Sequence, residues 1–148
     1  MGWTESQRIR LAMEKQAVEH FFPTFEVKNP TNNTYWIGTL VTNVGKKYTI
    51  RMDIPHQYPE QPPNVYIISP SPLFTYDGTN LLALGTSHEM HTFSSANSYV
   101  MMCLYRSDCW SAEYTLIACL KKARLWLEAY DTHLETGEKM CDIVGTQK

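Results

Sequence analysis

All eight prolines of this 148-residue chain fall between residues 23 and 72. Proline lacks an amide donor and pushes its predecessor out of helical geometry, so that third of the chain is closed to long helices. Helices are therefore expected only near the two ends, with extended structure between them. The tightest block is Tyr58-Pro59-Glu60-Gln61-Pro62-Pro63.

Local patterning agrees. Thr4-Glu5-Ser6-Gln7 fits a capping box, in which the Thr and Gln side chains satisfy free amides at a helix start. Ile9, Met13 and Ala17 then recur every four residues on one face, and Pro23 stops the helix. Phe21 and Phe22 fall where it would meet the rest of the domain. Beyond it the period changes to two. Tyr48, Ile50, Met52 and Ile54 alternate with polar residues, and Tyr35–Thr42 is rich in aromatic and β-branched residues. Asn43-Val44-Gly45 joins the two as a hairpin, and Asn29-Pro30-Thr31-Asn32-Asn33 is a second turn. With Phe25–Lys28 and Asn64–Ile68 the spacing predicts a four-stranded antiparallel meander.

From Ser71 the chain runs for about 40 residues with little periodicity, a length that in compact domains is often functional. A C-terminal helix follows Trp110, with Ser111 as its cap and Glu113 in its first turn. Leu116, Leu120, Ala123, Leu127 and Tyr130 share its apolar face, Ile117 and Trp126 lie at the edges, and Lys121, Lys122 and Arg124 lie elsewhere. The segment after Gly137 is polar and is expected to be mobile. The expected fold is α+β, in one domain spanning residues 1–148.

A net charge of −2 without any basic run gives no basis for a nucleic-acid or membrane-surface reading. No apolar stretch is long enough for a membrane span, and MGWTESQRIR has no signal-peptide core. A cytoplasmic, reducing location is expected, which disfavours disulfides among the four cysteines. Those cysteines are then present for packing, metal or chemistry. Cys119, in the middle of the last helix beside its apolar face, reads as core, and Cys141 lies in the tail with nothing to activate it.

Cys103 closes the irregular crossing, followed by the polar Arg106, Ser107 and Asp108. A reactive cysteine needs partial exposure and a nearby cation or helix N-terminus, which Arg106 and the following helix could supply. A packed cysteine satisfies the same local sequence. Cys109 either lies under Trp110 or faces Cys103 across a turn. His88, His91, Cys103 and Cys109 have residue types that suit zinc, but the five residues between the cysteines break structural-site spacing, so no metal is expected. His91 is open to three readings: a base, a loop organiser or an ordinary loop residue. No nucleotide or other cofactor motif is present.

Taken together, Tyr58-Pro59-x-x-Pro62-Pro63-x-Val65, then Cys103-Leu104, Trp110-Ser111 and a helix, resemble ubiquitin-conjugating enzymes of the UBC fold over residues 4 to about 135. His91, Cys103-Leu104-Tyr105, Trp110 and Trp126-Leu127-x-x-Tyr130 are similar to the stand-alone conjugating enzymes of short type II CBASS anti-phage islands. The resemblance implies that Cys103 carries a partner's C-terminal acyl group as a thioester and passes it to a lysine amine. It also implies that Cys109 is a second functional cysteine and that His91 organises the loop. Asp108 would assist weakly. The implied partners are the C-terminal tail of a cGAS-like nucleotidyltransferase and a lysine-bearing acceptor protein, with no membrane or nucleic acid. The eukaryotic His-Pro-Asn motif stands here as His91-Thr92-Phe93, so the oxyanion-supporting Asn is missing; Asn97 lies within the His91–Cys103 interval, and the oxyanion is left without a named donor. The competing function is a non-catalytic binding module of the same fold.

Overall fold

The structure is a computed structural model that describes residues 2–95, 97–105 and 109–144. Helix α1 (Glu5–Phe21) is started by the expected capping box: Gln7 N–H donates to Thr4 Oγ1, and Thr4 N–H donates to Gln7 Oε1. Strands β1 (Glu26–Lys28), β2 (Tyr35–Val41), β3 (Lys47–Asp53) and β4 (Asn64–Ser69) form the antiparallel meander. Asn29 and Asn33 take positive φ in the first turn, a conformation that asparagine tolerates better than most residues. The hairpin between β2 and β3 closes through Thr42 and Gly45, whose φ is 86°.

The crossing contains more than irregular chain. A short helix α2 (Leu81–Leu84) is followed by strands β5 (Thr92–Phe93) and β6 (Val100–Met102). The sheet therefore has six strands in the order β1-β2-β3-β4-β6-β5. β6 pairs with β4 on one side and β5 on the other. Helix α3 (Leu116–Thr136) packs its apolar face into the same core as the alternating buried residues Trp36, Tyr48, Ile50, Met52, Val65 and Ile67. Its arms reach both ends of the sheet. Arg124 donates to Val41 O and Asn43 Oδ1 at the hairpin, while Tyr130 exchanges hydrogen bonds with the Phe74 backbone. His133 Nε2 accepts from Tyr76 N–H, so its Nδ1 carries the proton shared with Glu138 O.

Four local expectations need correction. First, α1 buries Leu11, Glu14 and Val18, whereas Ile9, Met13 and Phe21 are 59%, 66% and 62% exposed. The four-residue stripe is present but faces outward. The helix is turned by Glu14, whose carboxylate accepts from Tyr58 O–H at 2.5 Å, Arg10 Nε–H at 2.9 Å and Leu116 N–H at 3.2 Å. Second, α3 begins at Leu116 with Thr115 as its cap. Ser111 instead closes a turn, accepting from Glu113 N–H and Tyr114 N–H. Third, Cys119 consequently lies in the first turn of α3, although it is buried as expected. Fourth, the segment after Gly137 forms helix α4 (Met140–Val144), fixed by the fully buried Met140 and by Cys141 N–H donating to Glu89 O.

Two substitutions test this packing. Glu14→Ala strands three donors in or beside the core and should lower unfolding free energy by about 3 kcal/mol, read from urea midpoints. Gly38 faces Phe25, and a Cβ there would lie 2.5 Å from the ring and 2.7 Å from the Phe25 backbone. Gly38→Ala should cost about 1–3 kcal/mol because the neighbouring backbone must shift, seen as a lowered Tm.

Candidate active site

The two short strands of the crossing decide where Cys103 sits. β5 and β6 run antiparallel with Thr92 opposite Met102, so the next pair along the ladder is His91 with Cys103. The ladder does continue: Cys103 N–H donates to His91 O at 2.8 Å. His91 O also accepts from Trp126 Nε1–H at 2.7 Å, tying the cysteine's neighbour directly to α3. His91 holds φ at 54°, in the left-handed region that few non-glycine residues occupy and that histidine enters more readily than most. The loop before it is self-locked. Ser87 and Thr92 exchange two backbone bonds, and Thr92 Oγ1–H donates to Gly85 O at 2.8 Å.

Cys103 is half-buried and opens into a cavity of about 320 Å³. His91, Leu104, Lys122 and Trp126 line it beside the cysteine, with Met140, Ile143 and Val144 of α4 contributing to the wall. Burial pushes the Cys103 thiol above its ordinary pKa, and the Lys122 ammonium opposes that rise. Burial pushes the His91 imidazole below its usual value, helped by the neighbouring His88 and Lys122 charges. His91 Nε2 is buried and makes no hydrogen bond among the described residues, and its ring lies 5.6 Å from that of His88. A neutral imidazole and a partly shielded thiol therefore face one mostly apolar space.

The far end of the active-site segment is fixed separately. Tyr105 stacks on Tyr114 at 5.3 Å and meets the edge of Trp110 at 5.0 Å. Trp110 Nε1–H donates to Pro59 O at 2.8 Å, joining this aromatic group to the proline block. Arg10 adds bonds to Ala112 O and Tyr114 O. Both flanks of the short segment after Cys103 thus rest on the rigid part of the domain.

The predicted residues are brought together only in part. His91 and Cys103 share a cavity and a backbone bond. Cys109 is a half-buried free thiol next to Trp110 and is not part of that cavity's lining. All four cysteines are unbridged. Asn97 caps its own turn by accepting from Tyr99 N–H and Ser95 O–H, and it lines a different cavity with Leu82 and Ser94. Arg106, Ser107 and Asp108 lie outside the described residues. Among the described residues no group of three His, Cys, Asp or Glu side chains could hold a metal ion, and no helix is long and apolar enough to cross a membrane.

Sequence reasoning missed Lys122, Leu104, Trp126 as a loop anchor, and the α4 wall. One signal was available. Lys122 and Trp126 are four apart and so share a helix face, and that face meets the loop rather than the sheet.

Comparison with known proteins agrees with this layout. The family model described as Type II CBASS E2 protein matches residues 14–142, from within the first helix to within α4, and includes His91, Cys103, Leu104, Lys122 and Trp126. A search among curated proteins gives no match. With most of its length covered by that match, the chain belongs to the Type II CBASS E2 family, which gives it a conjugation-related role in anti-phage defence.

Proposed function

We propose that this protein is an acyl carrier: Cys103 takes up a partner's C-terminal acyl group as a thioester and delivers it to a lysine amine. The observation that carries this reading is that a half-buried free thiol and an imidazole whose Nε2 has no hydrogen-bond partner among the described residues line one cavity. The Cys103 thiolate attacks the acyl carbon, the tetrahedral oxyanion collapses, and the donor's leaving group departs. The acceptor amine then attacks the thioester, loses its proton, and releases the Cys103 thiol.

A thioester is uphill from a free carboxylate, so the donor must arrive activated, as a thioester on an activating enzyme or as a peptide bond near its own C-terminus. In the peptide-bond case the leaving group is the departing amine. His91 is then a suitable base for the thiol, because an imidazole with a depressed pKa is unprotonated near neutrality. The donor proposed is a cGAS-like nucleotidyltransferase, through its C-terminal tail, and the acceptor is a lysine-bearing protein in the cytoplasm. Cys109 is proposed as a second thiol that receives the acyl group or tunes Cys103.

The test is co-expression with the cGAS-like synthase of such an island, followed by non-reducing electrophoresis and intact mass. The expected product is a thiol-sensitive adduct of the synthase's mass that Cys103→Ala abolishes. Undiminished synthase binding with no covalent species from either protein would make it a non-catalytic module. Conjugation by Cys109→Ala at the wild-type rate would remove that residue from the mechanism.

The pH dependence has a definite sign. When the donor is a thioester and the thiolate attacks without a base, the raised Cys103 pKa leaves only a small thiolate fraction at neutrality, and loading rate should climb about tenfold per pH unit between roughly 7 and 8. His91 stays neutral over this window because its pKa is depressed, so no opposing limb is expected in single-turnover loading rates.

A further inference from the structure

Lys122 belongs to α3, far in sequence from the cysteine, yet its side chain crosses back to the active-site segment. Its ammonium donates to Leu104 O, the carbonyl of the residue after Cys103, at 3.2 Å, and lies 4.6 Å from the centre of the Tyr105 ring. Both contacts hold the charge in place without neutralising it, since a carbonyl and an aromatic face carry no formal charge. Lys122 also has no carboxylate within ion-pair distance among the described residues. By contrast, Lys15, Lys28, Lys46 and Lys139 each lie near an acidic side chain.

We propose that Lys122 is the positioning residue of the Cys103 thiolate: an ammonium pinned one residue from the sulfur, in the wall of the cavity that the sulfur enters, stabilises the ionised thiol. This assignment rests on the acyl-carrier reading of Cys103.

Among the described residues, the other groups around the thiol do not duplicate this charge. His91 is half-buried with its imidazole pKa pushed below the ordinary value, and the His88 ring lies 5.6 Å from its ring. Glu128, on the far wall of the cavity, is engaged by Asn43 N–H at 2.8 Å and Arg124 at 3.4 Å. From α4 the cavity receives the apolar Met140, Ile143 and Val144, while Asp142 is turned to its neighbour Cys141. The direction of the Cys103 shift is consistent: burial raises the thiol pKa and, among the described residues, the Lys122 charge lowers it.

The deciding measurement is the pH profile of Cys103 alkylation by iodoacetamide, followed by peptide mass spectrometry so that the other three thiols do not contribute. Lys122→Met should move the midpoint up by about one pH unit and slow alkylation at pH 7.5 by about five- to tenfold. Lys122→Gln keeps an amide donor for Leu104 O but no charge, and should shift the midpoint in the same direction. Lys122→Arg should restore it. A midpoint within about 0.2 unit of wild type in both neutral variants would overturn the proposal, whatever their effect on Tm. Should the neutral variants fail to fold, salt decides with the wild-type protein: raising ionic strength to about 1 M screens a partly exposed ammonium and should raise the midpoint, and an unmoved midpoint would overturn the proposal. Alkylation needs no acyl donor, so this outcome is independent of whether conjugation occurs.

Discussion

The active-site geometry depends on one carbonyl oxygen. His91 O accepts from Cys103 N–H and from Trp126 Nε1–H, and a carbonyl with two lone pairs can serve both at full strength. One bond fixes the cysteine relative to the loop and the other fixes the loop relative to the long helix. The left-handed backbone at His91 is what turns the carbonyl toward both donors while leaving its ring in the cavity wall. A strained residue retained at such a point persists because its surroundings over-determine it. Here they do so from a β ladder, an indole and a self-locked loop.

That arrangement is only as fixed as α3, and α3 is fixed by a second buried centre. Glu14 binds the amide of Leu116 in the helix's first residue, while Arg10 grips the two carbonyls just before it. An acidic group at a helix N-terminus is favourable because the free amides there carry partial positive charge. The same carboxylate holds Tyr58, and Gln7 holds the backbone at His56 and Tyr58, so α1 clamps the proline block and the start of α3 together. The capping glutamine thereby serves two elements. Helix start, proline block and active-site segment form one mechanical unit, although they lie far apart in sequence.

The sequence made some of this legible and not the rest, for reasons that differ by element. The meander was readable because β3 alternates buried and part-exposed residues over its whole length, a pattern that only a half-buried strand needs. α3 was readable for the same reason at helical spacing. The orientation of α1 was not, because a carboxylate occupies a core position and apolar residues occupy the surface, and periodicity cannot tell which face a hydrogen-bond network will claim. β5 and β6 are two and three residues long, too short to leave a period. The tie between His91 and Cys103 runs through backbone atoms, which carry no residue signature at all. Cys103 and His91 were visible as candidates through resemblance, but Lys122 was not, since its role depends on a crossing that only the folded chain makes.

The thiol's environment bears on the carrier reading through the chemistry of leaving groups. A thiolate with a raised pKa is scarcer at neutrality but more nucleophilic when formed, and it is a poorer leaving group once acylated. For an acyl carrier these effects trade against each other: scarcity slows loading, and poor leaving ability protects the thioester from water until an amine arrives. Burial alone would move Cys103 far toward protection. An ammonium held against the adjacent carbonyl pulls it back toward reactivity without adding a second nucleophile in free solution. On the proposed carrier reading, the apolar wall from α4 serves the same balance by limiting water at the sulfur, so that the lifetime of the proposed thioester and the ease of forming it fall to different elements of one cavity.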